Sequence, residues 1–281
     1  MPRTPCNGIP IYYKLTRGTR HHPIIFLHGI TMSSAVWQCA QRSLTKKGFT
    51  TLALDFPGHG KSGTSDNPST FTFESLADIV YCLAEKLHLR DPIIVGWSLG
   101  GFVAQVYAIR YPLYKLVLAD TGPQGDATPD FPWAIAKKTA DRVVCLLTEG
   151  RMAEMATFVQ ALDINETCPQ VEFLKEIFTK ITLQSNRQAV LDSFRVNGTR
   201  NLSANLPNIH VPVMIFAGTK DLFYPVQAQE YMLNRLYDAY MVQAPGKGHS
   251  APFTDSGLFI RSVYRFATGK DERCDVCNIV L

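Results

Sequence analysis

Short, almost wholly aliphatic runs that alternate with stretches of helical spacing constrain this chain more than any other feature. The runs PIIFL (23–27), TTLALDF (50–56), PIIV (92–95), KLVLA (115–119) and VPVMIFAG (211–218) would each form a strand that is apolar on both faces. Residues 35–46, 73–87 and 99–111 place apolar side chains at helical spacing, with Gly48 as a C-cap and Pro112 as a stop. Such strands alternating with helices imply an α/β class: a mostly parallel central sheet covered by helices on both faces. A hairpin-like segment at 9–15 precedes this pattern. A helix at 225–236, a short strand near 240–243 and a last helix at 255–266 close it.

The rhythm breaks once. After Asp120 comes the turn-rich TGPQGDATPDFP, and from there to about residue 206 the apolar positions follow helical spacing with no strand-like run. The expected organisation is one α/β core from 1–122 and 207–269, a helical insertion at 123–206 lying over one edge of the sheet, and a tail at 270–281.

Composition excludes several function classes. With 281 residues, 46% hydrophobic and 19% charged, the chain can bury a sizeable core and is neither disordered nor a coiled coil. A net charge of +4 from scattered basic residues gives no footprint for nucleic acid or an anionic membrane. The opening MPRTPCNGIPIYYK has no apolar leader core, and no apolar run approaches the ~20 residues of a membrane span, so a cytoplasmic protein is expected. Seven irregularly spaced cysteines read as free thiols. Cys274 and Cys277 form a C-x-x-C, but no second ligand pair lies nearby for zinc. Prenylation would need cysteine where Asn278 stands, and the segment is read as a frayed tail. No metal and no cofactor are expected.

The glycine loop DFPGHGKSG (55–63) imitates two phosphate-binding motifs. Gly58, Gly60 and Gly63 have dinucleotide-loop spacing, yet the following TSDNPST cannot start the helix whose N–H groups would meet the pyrophosphate. A phosphate loop would need glycine at the position of Asp55. The glycines read instead as tight turns where a strand meets a cleft.

The chemistry lies in DPIIVGWSLGGFVAQVYAIRYP. Gly96-Trp97-Ser98-Leu99-Gly100 fits G-x-S-x-G between an apolar strand and a helix, the context that motif requires. A serine held at a sharp strand-to-helix turn needs neighbours without side chains, which Gly96 and Gly100 supply. The turn also sets Ser98 at a helix N-terminus, where developing negative charge is favoured.

With FLHGIT (26–31), DFPGHGKS (55–62), GWSLGG (96–101), VPVMIFAGTKD (211–221) and GKGHSAPF (246–253), the chain resembles the α/β-hydrolase superfamily over nearly its whole length. The resemblance implies that the glycine loop borders the active-site entrance and that the helical insertion is a cap over the substrate pocket. It implies His249 as base, in a glycine-flanked loop before the last helix, and assigns His28 and His59 structural roles. His21, His22, His88 and His210 fall in polar or terminal positions.

Two aspartates compete to orient the base. Asp221 follows a strand and lies 28 residues before His249, a spacing similar to the family's, whereas Asp120 ends the preceding strand. Asp221 is favoured, in the order Ser…Asp…His, and Asp55 is read as a loop-fixing residue. The backbone N–H of Leu99 is one expected oxyanion donor, and the resemblance supplies that of Ile30 as the second. Trp97, Phe131, Trp133 and Phe158 are the expected pocket residues, with Phe173 and Phe178 adding to an apolar cap.

The implied activity is a serine hydrolase that cleaves a small carboxylic ester or lactone through an acyl-enzyme. Some similarity to acyl-homoserine lactonases of this fold brings the lactone into view. Serine at the elbow argues against the haloalkane and epoxide branches, which use a carboxylate nucleophile. Carbon–carbon-bond and thioester hydrolases share the same residues. A different class, the hydrolase-fold small-molecule receptor with little turnover, is the alternative.

Overall fold

The computed structural model describes residues 2–166, 171–269 and 279–280. The strands are β1 (Arg3–Cys6), β2 (Ile9–Thr16), β3 (Ile24–Leu27), β4 (Thr51–Leu54), β5 (Ile93–Trp97), β6 (Lys115–Ala119), β7 (Val213–Gly218), β8 (Ala239–Ala244) and β9 (Ile279–Val280). They form one sheet in the order β1-β2-β4-β3-β5-β6-β7-β8-β9, parallel from β4 to β8 and antiparallel at both edges. The direction of winding reverses between β3 and β5, and clefts form at the carboxyl ends of strands beside such a switch point.

Alternation along the strands explains their continuous apolarity. Ile25, Leu27, Ile94, Val213 and Ile215 enter one core, beneath α2 (Phe73–Lys86), α3 (Leu99–Arg110) and α8 (Val226–Leu233). Ile24, Phe26, Val95, Met214 and Phe216 enter the other, beneath α1 (Gln38–Lys46) and α10 (Ser256–Thr268). All ten side chains are buried, and each contributes roughly 1.5–3 kcal/mol of burial free energy.

The insertion leaves the sheet after β6 and returns at β7. It comprises α4 (Lys137–Thr148), α5 (Met152–Asp163), α6 (Val171–Thr182) and α7 (Arg187–Asn197). It has a small core of its own, built from Val143, Leu146, Leu147, Met155, Val190 and Leu191. It docks over the carboxyl ends of the strands and not on a lateral edge. Asn197 Nδ2 donates to Phe71 O at 2.7 Å, Asn186 N–H to Gly58 O at 2.7 Å, and Ser185 Oγ to Thr31 O at 3.0 Å. The glycine loop therefore has a packing purpose. A side chain at Gly58 would run into Ala189 of α7, and the loop holds its shape because Asp55 accepts from Ser34 and Lys61 N–H at 2.6 and 2.8 Å.

Several local expectations are corrected. The hairpin at the start of the chain is β1–β2, closed by Asn7-Gly8, both at positive φ (50° and 79°); the Asn-Gly pair is the signature of that turn. The helical run from 35 begins as a 3₁₀ turn, Ser34–Trp37, before α1. Residues 123–206 are not purely helical, because bridges join Gln124 to Asn201, Asp126 to Ile135 and Thr128 to Phe131, leaving Ile135 outside any helix. A short helix, α9 (Ala251–Thr254), precedes α10. Of the tail expected to fray, Ile279–Val280 pairs with β8, while Cys274 and Cys277 lie outside the described residues. Among the described residues no helix is long and apolar enough to cross a membrane.

Candidate active site

Ser98 sits at φ 54°, ψ −119°, between β5 and α3. A non-glycine residue in this region costs about 1–3 kcal/mol, so the surroundings must hold it there. Ser98 N–H donates to Ala119 O at 3.1 Å, and its carbonyl accepts from Gly101 N–H at 2.8 Å and Thr121 Oγ1 at 3.0 Å. A side chain at Gly96 would strike the Gly100 carbonyl, and one at Gly100 would strike the Leu27 carbonyl. The elbow fits only because both positions lack one.

The loop after β8 brings His249 to the serine. Trp97 Nε1 donates to the His249 carbonyl at 2.7 Å, fixing the backbone. The imidazole lies between two partners, Nε2 at 2.8 Å from Ser98 Oγ and Nδ1 at 2.8 Å from Asp221 Oδ2. With Nδ1–H donating to the carboxylate, Nε2 is left to accept the serine proton. Asp221 Oδ1 accepts from the N–H groups of Phe223 and Tyr224 at 2.8 and 3.0 Å. Burial pushes the His249 pKa down, but the charge and hydrogen bond of Asp221, with the charge of Asp163, hold it above the usual 6.5.

Asp120 does not reach the imidazole. Its Oδ1 accepts from Gly218 N–H at 2.7 Å, and burial, reinforced by the charge of Asp221, holds its carboxyl well above the ordinary range. His28 is fully buried, and Phe56 N–H donates to its Nε2 at 2.9 Å. The proton is therefore on Nδ1, 2.7 Å from Gly29 O. Burial and the neighbouring His59 hold it neutral. The turn that follows, closed by Met32 N–H to Gly29 O at 3.2 Å, carries Ile30 beside Ser98. Among the described residues, neither Ile30 N–H nor Leu99 N–H has a protein acceptor.

The sequence profile of the alpha/beta hydrolase fold matches residues 22–256. The chain belongs to this alpha/beta hydrolase family. A pimeloyl-[acyl-carrier protein] methyl ester esterase of Nitrosomonas europaea is 29% identical over 82% of this chain and 89% of its own. Among solved structures, an esterase from Exiguobacterium antarcticum superposes with a TM-score of 0.87 at 20% identity, covering 94% of this chain and 98% of its own. The enol-lactonase from Burkholderia xenovorans LB400 gives 0.82 at 21%, covering 95% and 100%. At such identities the two structures speak for the fold alone.

In this alpha/beta hydrolase a cavity of about 580 Å³, its mouth included, opens beside Ser98 and His249. A second lobe of about 440 Å³ meets it at Ile30, Ser98 and Tyr224. Trp97 contributes to the lining as expected, but Phe131, Trp133 and Phe158 do not. The turn at Thr128–Phe131 folds Phe131 and Trp133 back onto Tyr231 of α8, and Phe158 packs into the insertion's own core. Phe173 is exposed, and Phe178 packs on Trp97 and Phe253 away from the cavity. The lining comes instead from Val143, Met155, Val159 and Phe194 of the insertion. Asp163, at the end of α5, also faces this cavity. Apolar positions at helical spacing marked these helices, but nothing in the sequence said which face would turn toward Ser98.

Proposed function

We infer that this alpha/beta hydrolase cleaves a small carboxylic ester through an acyl-enzyme on Ser98, His249 and Asp221, with the insertion as its cap. The observation that carries the reading is the pair of 2.8 Å contacts of His249, one to Ser98 Oγ and one to Asp221 Oδ2. Ser98 Oγ attacks the ester carbonyl as its proton passes to His249 Nε2, and Asp221 stabilises the imidazolium. The oxyanion forms against the N–H groups of Ile30 and Leu99, where losing one such donor typically costs about 3 kcal/mol. The tetrahedral adduct collapses, the alcohol leaves with the proton from Nε2, and water repeats the sequence to release the acid and regenerate Ser98.

The leaving alcohol must lie within reach of Nε2. It therefore takes the lobe bounded by His249, Met155 and Val159, and the acyl group takes the lobe of Leu99, Phe73 and Phe102. The methyl ester esterase among the relatives supports a linear ester; a lactone is the narrower choice. Free thiols at Cys6, Cys39, Cys82 and Cys145 support a cytoplasmic setting.

Steady-state kinetics on a series of short nitrophenyl esters tests the reading. Wild type is expected to turn them over, and Ser98→Ala to lose at least about a thousandfold in kcat. Tight binding of such esters with no Ser98-dependent turnover would favour a receptor.

A further inference from the structure

The end of α5 reaches over the two loops that carry His249 and Asp221. Asp163 Oδ1 accepts from Ser250 Oγ at 3.0 Å, and the Asp163 carbonyl accepts from Ser250 N–H at 3.3 Å. Two residues on, Asn165 Nδ2 donates to Lys220 O at 2.9 Å, and Glu166 Oε2 accepts from Gly248 N–H at 3.2 Å. The segment thus holds the residues on either side of His249 and the residue preceding Asp221. Asp163 and Ser250 are both buried, 3% and 0% exposed.

A buried carboxylate is costly where one hydroxyl, that of Ser250, donates to it. The groups facing it are His249 and Asp221 from the two loops, Glu166 from its own segment and Asp120 beyond β6. Of these His249 alone can become positive, so the carboxylate favours the imidazolium that forms as Ser98 attacks.

We propose that Asp163 is a positioning residue, which seats the His249 imidazole through Ser250 and so makes assembly of the site depend on the helical insertion. The proposal rests on the hydrolase reading above and adds a requirement to it. The bond Asp163 Oδ1···Ser250 Oγ spans 87 residues of sequence. An insertion that lifted off the sheet would break that bond and the Gly248 and Lys220 contacts together.

The test combines kinetics with a titration that needs no substrate. On an ester that wild type cleaves, Asp163→Ala and Ser250→Ala are each expected to lower kcat about tenfold with KM little changed. The double variant should be no slower than Asp163→Ala, because both substitutions act through one bond. Asp163→Asn keeps an acceptor for Ser250 but removes the charge, so NMR titration of the His249 ring should move to lower pH, while Ser250→Ala should move it less. An unchanged kcat, losses that multiply in the double variant, a loss confined to KM, or an unmoved titration in Asp163→Asn would overturn the proposal. If Asp163→Ala fails to fold, Ser250→Ala and Asp163→Asn decide it. Failure of the hydrolase reading would appear separately, as a wild type without Ser98-dependent turnover, and the ring titration would still report on Asp163.

Discussion

Two titrating side chains set the pH behaviour of the site. In the proposed mechanism His249 must be neutral to take the Ser98 proton, and its pKa is held above 6.5 in the fold. The acidic limb of kcat/KM should therefore fall above pH 6.5, with activity rising as pH passes through it; a limb well below that value would contradict the Asp221 and Asp163 contacts. Asp163 bears on stability, with the same sign of linkage as any group whose pKa the fold raises. Burial lifts its carboxyl from 3.8 to about 6, so the folded state binds this proton more tightly than the unfolded chain. Its effect is a loss of stability as pH climbs from 3.8 through 6, complete above that range. Asp163→Asn should accordingly be more stable than wild type at pH 8, by about 3 kcal/mol, with the gap closing below pH 4. Thermal melts at the two pH values measure it. A variant that is more stable yet has a shifted His249 titration would show a carboxylate kept for the chemistry at a cost to the fold.

The elbow between β5 and α3 depends on glycines more than on any side-chain contact. Gly100→Ala would drive a methyl group into the Leu27 carbonyl of β3, backbone that cannot yield. It should cost several kcal/mol, read as a large drop in melting temperature or as insoluble protein. At Gly150 no neighbour would meet an added methyl group, and Gly150→Ala should cost only the strain of its φ of +77°. This contrast shows why the core could be read from the sequence. Strands β3 to β7 declare themselves because both faces are covered, and the G-x-S-x-G turn because its sterics admit few other residues. The Asn7-Gly8 turn carries an equally specific mark in the sequence. The contact of the end of α5 with the His249 loop leaves no such mark, since the bond between Asp163 and Ser250 joins distant residues of ordinary type and has no periodic trace. The same holds for Phe131 and Trp133, whose aromatic character signals burial but not direction; they turned toward Tyr231 and not toward Ser98.

The molecule as a whole is a sheet whose carboxyl ends are roofed by four helices, with Ser98, His249 and Asp221 at the ends of its strands and most of the apolar lining on the roof. Substrate choice should therefore be altered through the insertion without disturbing the chemistry. Val159 lines the lobe assigned to the leaving alcohol and is half-buried at its wall. Val159→Trp should lower kcat/KM for benzyl esters by at least about tenfold relative to methyl esters of the same acid, measured as a ratio so that a general loss cancels. An unchanged ratio would reverse or void the assignment of lobes. The central claim is narrower: that the fold activates one hydroxyl. Labelling with an alkyl fluorophosphonate, followed by peptide mass mapping, reads this directly. A single adduct on Ser98 is expected, formed quickly in wild type and slowed by at least about a hundredfold in His249→Ala. An unlabelled Ser98, an adduct elsewhere, or equal labelling without the imidazole would contradict it.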